Sequence, residues 1–277
     1  MTPDEYCQQK AAQSGSSFYY SFLFLPPERR RAITALYAFC REVDDVADDV
    51  QDVAVARTKL AWWRTEIANL FEGHPSHPVT KALQPFVAGF GIDAARLNEI
   101  VDGMEMDLVH HRYPDFAALR LYCHRVAGVV GELSASIFGY TRPETLEYAR
   151  SLGLAFQLTN IIRDVGEDAR RDRVYLPLDE LARFGLEAQD ILALRGGEAF
   201  VKLMEFQAAR ARSYYEKAFA SLPAQDRRSQ RAGLIMAAIY RTLLEEIGRD
   251  GYPVLHQRIA LTPLRKLWIA WRTWIRS

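Results

Sequence analysis

The chain has 277 residues, 49% apolar and 25% charged, enough length and hydrophobicity for a globular protein with a sizeable core. Its 35 Lys and Arg balance 35 Asp and Glu, so the basic excess that nucleic-acid binding calls for is missing and no nucleic-acid partner is expected. Cys7, Cys40 and Cys123 are scattered without metal or redox spacing, no apolar run approaches the roughly 18–20 residues of a membrane span, and "MTPDEYCQQK" is unlike a signal peptide, which together predict a cytoplasmic protein.

Apolar residues recur at helical spacing along almost the whole chain, and no convincing alternating strand pattern occurs. "LPPERRR" starts a helix near Glu28, which runs into the acidic stretch "LYAFCREVDDVADDVQD" at residues 36–52. "EGHPSHP" separates a helix ending near Phe71 from one starting near Val79, and "FGID" separates the next pair near Ile92. "HRYPDF", "FGYTRPE", "SLPAQDRR" and "RDGYP" punctuate the remainder. Helices of about 12–25 residues with short connections predict one all-α domain over residues 1–277. No solenoid-length repeat and no glycine-rich phosphate loop is present, so bound phosphate would need another cradle.

The acidic stretch is ordered once it is wound on a helix. With Tyr37 at zero and about 100° per residue, Arg41 falls near about 40°, Asp44 near about −20° and Asp48 near about +20°. Leu36, Phe39, Val43, Val46, Ala47 and Val50 form the opposite, apolar side, while Asp45 and Asp49 lie at the flank. "FQLTNIIRDVGED", residues 156–168, repeats the design: Gln157, Asn160, Asp164 and Asp168 share one face, backed by Leu154, Leu158, Ile162 and Val165. Either stretch alone reads plainly as a solvated helix end. Two matched Asp-x-x-x-Asp faces on apolar-backed helices suggest more. Four carboxylates converging within about 6 Å would cost about 3 kcal/mol per pair at an effective dielectric of about 20, so cations must offset them. Hard oxygen donors without Cys or His suit Mg²⁺ shared with phosphate oxygens. The pattern therefore predicts Mg²⁺ bridging two acidic helices to a diphosphate, with Arg41 and Arg163 as further contacts.

"CREVDDVAD" together with "QLTNIIRDVGEDARRDRVYLP" resembles the squalene/phytoene synthase family of trans-isoprenyl diphosphate synthases. The likeness extends from "SGSSFYYSFLFLPPERRRAITALYAFCR" through "YCHRVAGVVGELS" to "AAIYRTLLEEI", and the opening is most similar to the bacterial presqualene diphosphate synthases of hopanoid pathways. The resemblance implies an all-α isoprenoid-synthase bundle with a central cavity. It also implies head-to-head condensation of two farnesyl diphosphates to presqualene diphosphate plus pyrophosphate, with downstream hopanoid-pathway enzymes as partners. By resemblance, Asp44, Asp48, Asn160, Asp164 and Asp168 hold Mg²⁺. Tyr37, Arg41, Gln157, Arg163, Tyr240 and Arg258 match diphosphate-contacting positions, Ser14 and Ser17 fall in an N-terminal phosphate segment, and Phe18 borders the substrate. "RRDRVYLP", residues 170–177, matches the segment that folds over the diphosphate. Tyr19 stands where the family often has serine, which bears on the second substrate's pocket.

The chemistry suits these residues: loss of diphosphate leaves an allylic cation, which needs a dry pocket with aromatic faces. Phe18, Tyr19, Tyr20, Phe22, Phe24 and Phe156 can supply those faces or be plain core. "VAGVVGELSAS" either lets an isoprenoid approach the backbone or lets helices pack closely. His110, His111 and His124 lack partnered spacing and read as surface or core residues. Alternatives are dehydrosqualene, squalene or phytoene synthesis within the family, and a non-catalytic binding protein on the same fold. The last segment, "TPLRKLWIAWRTWIRS", sets tryptophans beside Arg265, Lys266, Arg272 and Arg276. It reads as a helix docking its tryptophans on the domain, or as one lying in lipid headgroups at the inner face of the membrane.

Overall fold

A computed structural model describes residues 1–13, 18–50 and 52–276. Ser14 and Ser17, expected in a phosphate segment, lie outside the described residues, as do the side chains of Tyr19 and Tyr20. Among the described residues the chain is helical throughout, and the only extended pairing is an isolated bridge between Arg112 and Val174.

The first half begins with α1 (Pro3–Gln13) and the short α2 (Phe18–Phe22), followed by α3 (Pro27–Asp49). Pro27 at the first turn needs no amide partner, which fixes the start of α3. Its apolar stripe is buried as the periodicity predicts, with Leu36, Phe39 and Val43 fully enclosed. Asp52 caps α4 (Val53–Glu72) by accepting from the Ala54 and Val55 amides at 2.8 and 3.3 Å, and Gly73 ends it in the left-handed conformation. Next come α5 (Pro78–Leu83), α6 (Ala94–Asp107) and α7 (Phe116–Cys123). A π-helical turn at His124–Gly128 leads into α8 (Val129–Phe138).

The second half is organised on α9 (Glu144–Arg170), which at 27 residues exceeds the expected helix length. Around it lie α10 (Leu178–Arg183), α11 (Ala188–Leu192), α12 (Glu198–Ser221), α13 (Arg231–Arg249) and α14 (Pro263–Arg276). The helix ends fall within a residue or two of the predicted breaks at Glu28, Phe71 and Val79. Two apolar clusters result, one built on α3, α4 and α6, the other on α9, α12 and α13. Phe18 and Val126 pack against both.

The small residues around the π turn have a clear geometric purpose. A Cβ on Gly153 would stand 2.3 Å from the Ala127 carbonyl oxygen, and one on Gly131 would stand 2.4 Å from that of Ala149. Only glycine lets α9 and α8 approach so closely, so the plain reading of "VAGVVGELSAS" holds for these contacts. The same turn and helix also face the cavity through Ala127, Val130 and Ser134.

The terminal helix α14 docks less completely than its tryptophans suggest. Ile269 and Ala270 are buried, and Trp274 stacks on Phe24 with ring centroids 5.7 Å apart. Trp268 and Trp271 remain 54% and 55% exposed. Small anchors attach the helix, and two of its large aromatics face outward.

Candidate active site

On α3, Tyr37, Arg41 and Asp44 line the central cavity, as their shared face requires. Arg41 pairs with Asp44 and, at 2.9 Å, with Asp45. Asp45 also meets Lys10 of α1 at 2.7 Å, so this flanking acid is part of the helix packing. Asp48, one turn further on, is held from across the cleft by Arg173 at 2.6 Å and by Arg171 at 3.3 Å. Arg173 also donates to the Ala47 carbonyl oxygen at 3.0 Å. Residues 170–177 thus lie against the acidic end of α3, pinned by the Val174 amide donating to the His111 carbonyl oxygen at 2.9 Å.

On α9, Gln157, Asn160 and Arg163 line the same cavity, whereas Asp164 and Asp168 do not, Asp168 lining a separate small cleft. Asp164 accepts from Arg163 Nε at 2.6 Å and from Arg258 Nε at 3.0 Å. Asp168 lies beside Arg173 in a small cleft under Val174 and Tyr175. The Asn160 amide donates to Gln157 at 3.4 Å, but its Oδ1 is buried with no hydrogen-bond partner. A buried acceptor left open in this way needs a donor or a cation.

The acids feel their enclosure and one another. Burial pushes the Asp44 carboxyl up to about 7, and Asp48 and Asp107 add to the rise while Arg41 opposes it. Burial also pushes Asp168 up to about 8, with Asp164, Asp107 and Asp48 contributing and Arg173 opposing. Carboxylates of α3, α6 and α9 therefore share one field.

Asp107 belongs to the same field but lies outside the two Asp-x-x-x-Asp pairs. It is 5% exposed and accepts from the hydroxyls of Tyr122 and Tyr175, both at 2.7 Å. Burial still raises its carboxyl to about 6. The sequence carries a signal, since Asp107 continues the apolar stripe of Ile100, Gly103 and Met104. An acid on a buried stripe requires partners. Arg173 was likewise hidden within the segment at residues 170–177.

The cavity measures ≈ 430 Å³. One end is polar, with Arg41, Gln157, Asn160, Arg163, Arg258 and Lys266; the interior is apolar, with Met104, Val126, Leu152 and Met236. Burial lowers the Lys266 pKa, and the nearby Arg163 and Arg258 lower it further, so three cationic side chains converge at this end. Phe18 touches Tyr37, Phe156 and Tyr240, with centroids 5.7, 6.2 and 6.1 Å apart, and Phe156 meets Tyr240 at 4.8 Å. Phe22 lines the cavity as well, whereas Phe24 is engaged with Trp274. His124 faces Glu99 at 3.4 Å and His111 faces Asp172 at 3.9 Å, both away from the cavity.

No three acidic, His or Cys side chains among the described residues stand close enough to hold an ion on their own. The donor set nevertheless fits a hard divalent cation: all-oxygen donors, raised carboxyl pKa values and the open Asn160 Oδ1. Arginines occupy the positions where counter-charge is needed, and a diphosphate brought with metal can supply the missing oxygens.

The comparisons agree with this architecture. Residues 11–265 match the family model for squalene/phytoene synthase. The chain is 37% identical over 279 residues to a phytoene synthase of Arthrospira platensis, covering 95% of this chain and 89% of the relative. It is 35% identical to a 15-cis-phytoene synthase of Synechocystis sp., covering 99% and 85%. Among solved structures, a dehydrosqualene synthase in complex with ligand superposes with a TM-score of 0.85 at 27% identity, covering 98% of this chain and 95% of that one. Squalene synthase HpnC from Alicyclobacillus acidocaldarius gives 0.80 at 26%, covering 90% and 94%. With an all-α isoprenoid-synthase fold and two acidic helices bordering an apolar cavity, the chain belongs to the squalene/phytoene synthase family, the prenyltransferases that join prenyl diphosphates head to head.

Proposed function

We propose that the protein condenses two farnesyl diphosphates to presqualene diphosphate and pyrophosphate in squalene and hopanoid biosynthesis. The observation that carries this reading is the junction of the α3 and α9 acidic faces with a cationic cluster at the polar end of an apolar cavity. Asp44 and Asp48 from α3, with Asn160, Asp164 and Asp168 from α9, are the residues that would hold Mg²⁺. The metal, when bound, supplies positive charge that stabilises a departing diphosphate.

The chain's own residues do the rest. Arg41, Arg163, Arg258 and Lys266 bind the diphosphate oxygens at the polar end, with Gln157 and Tyr37 beside them. Phe18, Phe156, Tyr37 and Tyr240 present aromatic faces that stabilise an allylic cation without capturing it. The apolar interior holds the prenyl chains and excludes water from the cation. Among the described residues no histidine lines the cavity, and we assign the proton lost on ring closure to the released pyrophosphate. Tyr37 and Arg41 orient the leaving group from the turn above Asp44.

A second reading, joining two longer prenyl diphosphates to phytoene, draws support from the phytoene synthases at 35–37% identity. Incubation with farnesyl or geranylgeranyl diphosphate, with and without NADPH, decides between them by product identity. Presqualene diphosphate from the shorter substrate without reductant supports the proposal; phytoene from the longer one as sole product refutes it.

No helix among the described residues is long and apolar enough to cross a membrane. The outward tryptophans and basic residues of α14 support peripheral attachment at the cytoplasmic face, where C30 lipids would pass to hopanoid-pathway enzymes.

A further inference from the structure

A second groove, ≈ 620 Å³, lies between α12, α13 and α14, apart from the acidic cavity. Arg227, Arg241, Arg265, Arg272 and Arg276 line it, with Trp268 among its apolar contacts. Arg265 pairs with Glu246, but Arg227, Arg241 and Arg272 meet no carboxylate among the described residues. Arg241 and Arg272 instead lie over the rings of Phe219 and Trp268, at 5.5 and 5.1 Å. Three guanidinium groups with no acid partner, two of them over aromatic rings, form an anion cradle with an apolar floor.

The surroundings say which anion. Asp250 is the last acidic residue in the sequence; Arg258, Arg265, Lys266, Arg272 and Arg276 follow it. On α14, Arg265, Arg272 and Arg276 form the stripe beside the groove, while Leu264, Leu267, Trp271 and Ile275 form an adjacent exposed apolar stripe. A ligand matching both is charged at one end and hydrocarbon at the other. We propose that this groove is a headgroup site for an anionic phospholipid, seated when the apolar stripe of α14 enters the bilayer interface. The inference rests on the peripheral-attachment reading above and adds to it a defined lipid chemistry.

The test is flotation with vesicles of phosphatidylcholine alone or mixed with phosphatidylglycerol. Arg227→Gln with Arg241→Gln removes two groove charges without touching α14. Arg57→Gln with Lys59→Gln removes two from the exposed face of α4. Near an anionic surface each basic residue changes binding about fivefold, so the groove pair should bind mixed vesicles about thirtyfold more weakly. The α4 pair should bind as wild type, and turnover on soluble substrate should be unchanged in both. An equal loss in both pairs, or none in the groove pair, overturns the site. Wild-type binding that is equal on both vesicle types also overturns it but leaves attachment standing, whereas binding to neither overturns both. If inorganic phosphate raises the Tm of wild type but not of the groove pair while vesicle binding is the same, the groove takes a soluble anion and the lipid assignment fails.

Discussion

Two acidic centres in this molecule, one buried and one half-buried, behave oppositely. Glu66 of α4 is 1% exposed and accepts from the Ser76 and His77 amides at 2.7 Å and from the Ser76 and Thr80 hydroxyls at 2.7 and 2.5 Å. Burial alone would raise its pKa, but these donors bring it down to about 2. In the cleft, Asp44 and Asp168 are pushed up to about 7 and about 8, because enclosure and neighbouring acids outweigh their partners. The first centre is complete and fastens the loop between α4 and α5. In the second, arginines pair with the acids but do not offset burial and mutual repulsion at Asp44 and Asp168, the imbalance that the proposed metal and diphosphate would relieve.

The contrast is broken most severely by removing cleft acids. Asp48→Ala and Asp168→Ala should each lower turnover at least about 1,000-fold, the scale of losing transition-state charge stabilisation. Circular dichroism should show the helices retained in both, with the metal-free fold no less stable in Asp168→Ala, where burial and neighbouring acids already disfavour the carboxylate, and slightly less stable in Asp48→Ala, which loses its pairs with Arg173 and Arg171. Near-wild-type turnover in either variant would remove these residues from the catalytic machinery.

Asp107→Asn should act at one remove, because Asp107 touches Tyr122 and Tyr175 and feels Arg173. Losses of about 10–100-fold are usual for residues supporting a metal site. Turnover at saturating Mg²⁺ and the Mg²⁺ concentration for half activity read the effect separately. A variant that is fully active at every Mg²⁺ concentration would show Asp107 to be packing alone.

Glu66→Gln should do the reverse, costing about 2–3 kcal/mol of stability by weakening hydrogen bonds to a charged acceptor. Denaturant melts measure that loss, and kcat should stay close to wild type. Reduced kcat with an unaltered melt would mean the two centres are not functionally separate.

The pH dependence of the metal-free protein sharpens the comparison with a smaller effect. Asp44 and Asp168 have folded-state pKa values above those of the unfolded chain, so between about pH 4 and 8 the folded state binds more protons. Their contribution is complete at low pH and is lost as pH rises through about 7 and about 8. Tm should therefore fall from pH 6 to 8.5 in chelator, and Asp168→Asn should flatten the fall. Glu66, depressed instead, loses its contribution only as pH drops towards about 2. A wild-type Tm that rises across pH 6 to 8.5 would contradict the charge account.

The parts of this site that could be read from sequence are those on single helices. Spacing placed Tyr37, Arg41 and Asp44 on one face and Gln157 and Asn160 on another, because four residues advance little more than one helical turn. Arg258 comes from the loop after α13, Arg173 from the turn after α9, and Asp107 from the end of α6. Their meeting depends on how helices pack, which no local period encodes. The outward stance of Trp268 and Trp271 was hidden for the same reason: composition showed that α14 was aromatic, while docking through Ile269 and Ala270 decided which faces stayed open.

On the proposed function, the cleft acids form a ligand set completed only by metal and diphosphate together. Thermal denaturation with Mg²⁺ alone, farnesyl diphosphate alone, both, and both with excess chelator tests it directly. Because a ligand bound only to the folded state raises stability, the combination should raise Tm well beyond the sum of the separate shifts. Chelator should reverse that gain without unfolding the protein. Separate shifts that simply add would mean that metal and diphosphate occupy independent sites, and the account would be wrong.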